Sequence, residues 1–172
     1  MKFKIRNMKA KDIKDVQQVA KTSWNDTYEG IIPALIQENF LNSAYSDEMM
    51  KRRLDVSSLY VAEAEAQIVG FANFSKVKEE GEMELGAIYL LPEFQGKGVG
   101  TALLNEGIKN AQNASRVFIN VEKENKTGVT FYKAKNFKTL SEFEDDLEGH
   151  ITIMVRMVKD LVNEKRNQGL LE

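Results

Sequence analysis

Residues 88–104 read IYLLPEFQGKGVGTALL. This stretch joins an apolar run to an amphipathic helix through a loop that carries Gly96, Gly98 and Gly100. Upstream, MELGAIYLL (83–91) is almost continuously apolar from Leu85 to Leu91, which predicts a strand covered on both faces and hence central in its sheet. Downstream, Val99, Leu103, Leu104, Ile108 and Ala111 keep helical spacing through about Gln112. Such a turn suits an anion: glycines let a ligand approach the backbone, and the free N–H groups of a helix's first turn, with its dipole, hold phosphate without a basic side chain. On its own the segment serves equally as a plain strand-to-helix turn. It lacks the GK[ST] of a nucleotide triphosphatase, and its glycine spacing is not that of a dinucleotide fingerprint, so neither ATP nor NAD fits.

Working outward, residues 2–8, 59–63, 67–75, 117–121, 137–144 and 150–158 read as further strands. Helices are predicted over 10–24, where Ile13, Val16, Ala20 and Trp24 form one stripe, over Pro33 to about Leu41, over 46–54 and over 127–135. With proline confined to Pro33 and Pro92 and no repeats or linkers, regular structure should be nearly continuous. The order predicts an α+β domain: a mixed central sheet of about seven strands with helices on both faces. One domain is expected over residues 1–160, followed by a C-terminal tail, 161–172, of weak periodicity.

The 172 residues suit a single core, and 42% hydrophobic with 29% charged residues is an ordinary globular composition. Lys+Arg 24 against Asp+Glu 26 gives a net charge of -2 without a basic stripe, which argues against nucleic acid as partner. Absence of cysteine excludes a disulfide framework, a Cys-based zinc site and a thiol nucleophile. No segment approaches the about 20 apolar residues of a membrane span. A cytoplasmic protein without membrane or metal partners is expected, with a homodimer left open.

The loop matches the Q/R-x-x-G-x-G/A pattern of the GNAT superfamily of acyl-CoA-dependent N-acetyltransferases, with Gln95, Gly98 and Gly100 at the matched positions. Residues 88–104 resemble that family's fourth strand, loop and following helix throughout. NVEKENKTGVTFYKAKNF (120–137) is similar to its next block, where an asparagine precedes a helix bearing an aromatic-Tyr pair; Asn125 and Tyr132 occupy those places. WNDTYEGIIP (24–33) resembles the helix-loop-helix that walls the acceptor site in many bacterial members. The similarity spans about residues 3–158 and points to bacterial polyamine and related small-amine acetyltransferases. It implies a sheet splayed at the cofactor site. Acetyl-CoA pyrophosphate would lie on Gly96, Lys97, Gly98, Val99, Gly100 and Thr101, next to Gln95, with pantetheine paired to the backbone of Ile88, Tyr89 and Leu90 and Asn125 close by.

What the resemblance implies for catalysis can be set against the chemistry. A primary amine with a pKa near about 10 must lose a proton before it attacks a thioester. Glu84 is the expected base, eleven residues before Gln95, where some members carry a glutamate, and four before Ile88, hence about 13 Å along the same strand face. It reads equally as a solvated glutamate at a strand start, and as a base it needs burial or a water relay. Tyr132 would protonate the departing thiolate; its alternative is a core aromatic. A backbone N–H near Ile88 would bind the oxyanion. Ribosomal-protein acetyltransferases place a glutamate base where this chain has Asn120, which weakens a protein N-terminus as acceptor.

Softer features surround these. The acidic runs 79–82 and 141–149 read as solvated turns that would attract a cation if they face the acceptor mouth. Trp24 and Tyr28 are candidates for lining that mouth, and His150 reads as structural. The resulting expectation is acetyl transfer from acetyl-CoA to a primary amine of a small molecule, polyamine-like, by direct attack. The alternatives are a protein or peptide N-acetyltransferase and a catalytically silent CoA-binding regulatory module.

Overall fold

Strand β4 (Glu82–Leu90) lies in the middle of a seven-stranded sheet of order β1-β2-β3-β4-β5-β7-β6 in the computed structural model, which describes residues 1–167 and 169. The other strands are β1 (Lys4–Asn7), β2 (Ser57–Ala64), β3 (Gln67–Ser75), β5 (Arg116–Glu122), β6 (Lys138–Leu147) and β7 (His150–Asp160). Neighbours run antiparallel except β4 and β5, which are parallel. The α+β class, the mixed sheet and the central place of β4 are thus as the sequence predicts.

Helices cover the two faces. The first, α1 (Ile13–Tyr28), buries Val16, Val19, Ala20 and Trp24, and its stripe continues four residues past the predicted end to Tyr28, itself buried. With α2 (Ala34–Ala44) and α3 (Asp47–Val56) it lies on the face of β3 and β4 that carries Phe71 and Tyr89. The opposite face holds α4 (Val99–Asn110), whose Val99, Leu103 and Leu104 are almost wholly buried. Close seating of α4 needs Gly107, because a Cβ there would stand inside the Phe74 ring. Helix α5 (Lys126–Ala134) follows β5, and Asn125 caps it by accepting the Gly128 N–H at 2.9 Å.

The chain does not loosen at residue 161. Leu161 is fully buried and α6 (Val162–Asn167) follows, with the Lys165 ammonium donating to the carbonyls of Gln112 at 3.0 Å and Ala114 at 2.7 Å as well as to Ala111. A cation at the carbonyl end of α4 also meets the negative end of the helix dipole. The part of the expected tail at 168 and 170–172 lies outside the described residues.

Candidate active site

Pairing between β4 and β5 covers only Glu82–Leu85 and Arg116–Ile119. Beyond Leu85 the two strands part, so Gly86 to Leu90 have no strand partner on that edge, while β5 stays paired with β7. The gap opens a cleft of ≈ 830 Å³ between α1, β4, the loop after it, β5, α5 and the β6–β7 hairpin. This splay also explains a departure from the sequence pattern: the apolar run of β4 predicts burial on both faces, yet Gly86 is exposed and Ile88, Tyr89 and Leu90 are only half-buried.

Backbone builds the β4 wall. Gly98, at φ +84°, is the residue before α4, a left-handed conformation that suits glycine, and no side chain caps the helix. The first backbone bond into the helix is Ala102 N–H to Gly98 carbonyl at 3.0 Å, which leaves the amides of Val99, Gly100 and Thr101 without intrahelical partners. Nothing lies within 4 Å of where a Cβ would stand on Gly96 or Gly98. A ligand phosphate therefore has open space above donors it can use. Gln95, Gly96, Gly98, Gly100, Thr101, Ile88, Tyr89 and Leu90 all line the cleft. Lys97 and Val99 do not present side chains to it: the Lys97 ammonium sits 5.6 Å from the Phe94 ring centre and Val99 is fully buried, so they offer backbone only. Asn125 lines the cleft with its side-chain oxygen already committed to the cap of α5.

Aromatic side chains fill the middle. Tyr132, on α5, is 6% exposed, packs edge-on to Phe131 and Phe137, and lines the cleft. Burial pushes its phenol well above the ordinary tyrosine range, and the nearby Tyr89 and Tyr28 add to the effect. It is therefore a protonated donor at neutral pH. Trp24 stacks on Phe40 at 4.3 Å and leans on Tyr28 at 4.7 Å, and all three line the cleft. The Trp24 indole N–H is buried with no acceptor among the described residues.

Glu84 stands elsewhere than expected. A β-bulge lets Phe74 pair with Leu85 and Asn73 with Ala87, so Gly86 is an extra residue that flips the alternation of β4. Glu84 and Ile88, four apart, are consequently on opposite faces and not on one. Both Glu84 oxygens are taken by Arg156, at 2.8 Å from Nη1 and 2.5 Å from Nη2, while Nη1 also reaches Asn120 Oδ1 at 3.1 Å. The pair stacks over Phe118, with the guanidinium 4.6 Å from the ring centre. Hydrogen bonding to Glu84 holds Arg156 above even its usual range. The expected shared face with Ile88 is thus corrected, and a carboxylate engaged on both oxygens by Arg156 and absent from the cleft lining speaks against the base role expected at Glu84.

Instead, the carboxylates lining the cleft are Asp26 of α1, Glu122 at the end of β5, Glu124 of the next turn and Asp145 of β6. None follows from local motif spacing. Asp145 belongs to the acidic run 141–149, several of whose other members have partners of their own: Glu142 pairs with Lys123 at 3.0 Å, Glu148 accepts from Asn39 at 2.9 Å and Asp146 from the Gly149 N–H. Among the described residues, the cations lining the cleft are Lys126 and Lys135, at the two ends of α5.

Comparison with known proteins agrees with this geometry. The model of the acetyltransferase (GNAT) family matches residues 19–137. An uncharacterized N-acetyltransferase of Bacillus subtilis is 33% identical over 151 residues, covering 84% of this chain and 86% of its own. A spermidine N(1)-acetyltransferase of Thermoplasma acidophilum is 27% identical over 162 residues, 90% of this chain and 96% of that one. The crystal structure of an N-acetyltransferase from the same organism, in complex with coenzyme A, superposes with a TM-score of 0.80 at 26% identity and covers 93% of this chain and 99% of that one. With a splayed sheet, a glycine loop of free amides and this likeness over nearly its whole length, the chain belongs to the acetyltransferase (GNAT) family and is an acetyl-CoA-dependent N-acetyltransferase.

Proposed function

We propose that the acceptor is a small primary amine bearing additional positive charge, a polyamine-like molecule, acetylated by direct attack without a covalent enzyme intermediate. One observation carries this reading: the acceptor side of the cleft joins the carboxylates of Asp26, Glu122 and Asp145 to the aromatic wall of Trp24, Tyr28 and Phe40. Carboxylates attract ammonium groups, and aromatic faces hold the methylene chain and cation between them. The relative named for spermidine acetylation supports the same class.

The donor's pyrophosphate rests on the amides from Gly96 to Thr101, its pantetheine lies along the free edge of Ile88 to Leu90, and Asn125 flanks it. Acetyl-CoA supplies the activated acyl group. Tyr132, kept protonated by burial, gives its proton to the leaving thiolate and recovers one from the new amide nitrogen. A main-chain N–H on the unpaired edge of β4 near Ile88 holds the oxyanion. The cytoplasm is its proposed compartment; no helix among the described residues is long and apolar enough to cross a membrane.

Thiol release from acetyl-CoA, measured against putrescine, spermidine, a monoamine, an arylamine and N-terminal and lysine peptides, tests the acceptor. Preference for the di- and polyamines is expected. Acceptance of peptides with refusal of free diamines would overturn it in favour of protein acetylation, and donor binding without thiol release for any acceptor would indicate a silent regulatory module.

A further inference from the structure

Glu122 ends β5 as one of the few buried carboxylates, at 5% exposure, with no salt-bridge partner among the described residues. Its Oε2 accepts the N–H groups of Glu124 at 2.7 Å and Asn125 at 3.1 Å. No hydrogen bond to Oε1 is formed among the described residues, and the side chain lines the cleft. Counting on from the last β4–β5 pair, Leu85 with Ile119, sets Glu122 across the gap from about Ile88. It therefore faces the acceptor side beside Tyr28, at the level of the unpaired edge of β4.

This arrangement is the converse of Glu84. Arg156 occupies both oxygens of Glu84, whereas one oxygen of Glu122 is anchored by two amides and the other is left to the cleft. The surroundings suit proton uptake. Burial holds the Glu122 carboxyl above the ordinary carboxylate range, its two amide donors and Lys126 partly offsetting this, and Glu124 adding to it. The groups that act on it are Tyr28 from α1 and Glu124 and Lys126 from the following turn and helix; Asp145 and Thr152 of the hairpin line the same cleft, and Met154 is its register partner on β7.

We propose that Glu122 is the proton acceptor for the incoming ammonium, a role that rests on the amine acceptor proposed above. The ionised carboxylate takes one proton from R–NH3+, giving R–NH2 and neutral Glu122. The nitrogen lone pair then forms the bond to the thioester carbonyl carbon, and the C–S bond breaks with its electron pair leaving on sulfur. The thiolate is protonated through Tyr132 at the expense of the second nitrogen proton, and Glu122 returns its proton to water. One acetamide, one thiol and one proton result, and no further reactant is needed.

Glu122→Gln is the informative change, since its amide oxygen still accepts the two N–H groups but the side chain takes no proton. With spermidine at pH 7, kcat/KM is expected to fall about 10²-fold, and the loss should shrink as pH rises toward the amine's own pKa. The melting shift produced by acetyl-CoA should be unchanged. Carbon-13 NMR of glutamate-labelled protein gives a readout apart from turnover: the carboxyl resonance missing in Glu122→Gln should titrate, in the wild type, above the ordinary glutamate range. A loss equal at every pH, undiminished turnover, or a carboxyl that titrates as an ordinary glutamate would each leave Glu122 as the cap of its turn and overturn the proposal. A wild type that acetylates no amine would instead sink the acceptor class, and the base with it.

Discussion

From β4 into α4 the cleft offers main chain: an unpaired strand edge, then the amides of a glycine loop and a first helical turn, with side chains such as Lys97 and Val99 turned away. Across the gap it offers side chains, with Trp24 and Asp26 from α1, Phe40 from α2, Glu122 from β5 and Asp145 from β6. Main-chain recognition holds a ligand whose shape is constant and is indifferent to most substitutions that keep the backbone in place. Side-chain recognition can be rewritten one residue at a time. In this molecule the first wall fits a donor shared with a family, and the second would decide which amine is chosen.

The sharpest test lies between the walls. Tyr132→Phe should lower turnover by about 10²–10⁴ while the acetyl-CoA melting shift persists, because only the proposed proton donor is lost. Undiminished turnover would return Tyr132 to the role of a packing residue beside Phe137. On the main-chain wall, Gly98→Asp combines a side chain at φ +84° with a negative charge where phosphate is expected, and should weaken acetyl-CoA on the order of a hundredfold. The wild type should gain about 2.7 kcal/mol of stability at a hundredfold excess of acetyl-CoA over its dissociation constant. If the variant shows the same melting shift, the loop is a structural turn.

A subtler break comes from behind that wall. Gly107→Ala drives a methyl into the Phe74 ring and must lift α4 from the sheet. Destabilisation of about 1–3 kcal/mol is expected, seen as a lower melting temperature. Because α4 carries the amides proposed to hold phosphate and none of the carboxylates proposed to meet the amine, KM for acetyl-CoA should rise while KM for the amine stays near its original value. Equal increases in both would mean that the two walls are not separable.

The same division explains what could be read in advance. Residues 88–104 are contiguous, so strand, loop and helix declare themselves by apolar runs and glycine spacing, and Tyr132 enters as a candidate through the likeness of residues 120–137 to a family block. The direction of Glu84 is not legible in such a window, because it depends on a bulge at Gly86 created by pairing with Asn73 and Phe74, and its partner Arg156 lies 72 positions away. No window on the sequence contains that contact. Asp26, Glu122 and Asp145 likewise come from three distant segments that only the sheet order brings to one cleft. Residues 161–172 read as a tail of weak periodicity for a related reason: Lys165 finds its carbonyl partners at 111, 112 and 114, at a helix end that sequence periodicity does not place beside it.

The mildest expected effect separates a facing carboxylate from a merely acidic neighbourhood. On β6, Asp145 and Leu147 line the cleft whereas Glu144, on the alternate side of the strand, does not. Asp145 is exposed, so its attraction for an ammonium is screened by water, and Asp145→Asn should raise KM for spermidine only about two- to fivefold at low salt. KM for acetyl-CoA should not change. Glu144→Gln removes the same charge one residue away and should leave both constants unaltered. Raising the salt to about 1 M shortens the screening length to about 3 Å and should erase the Asp145 effect, leaving wild type and variant alike. If the two substitutions act equally, the whole acidic hairpin works as a diffuse field that concentrates cations near the mouth. If neither acts, the proposed attraction for an ammonium falls to Asp26, exposed like Asp145, and to the buried Glu122.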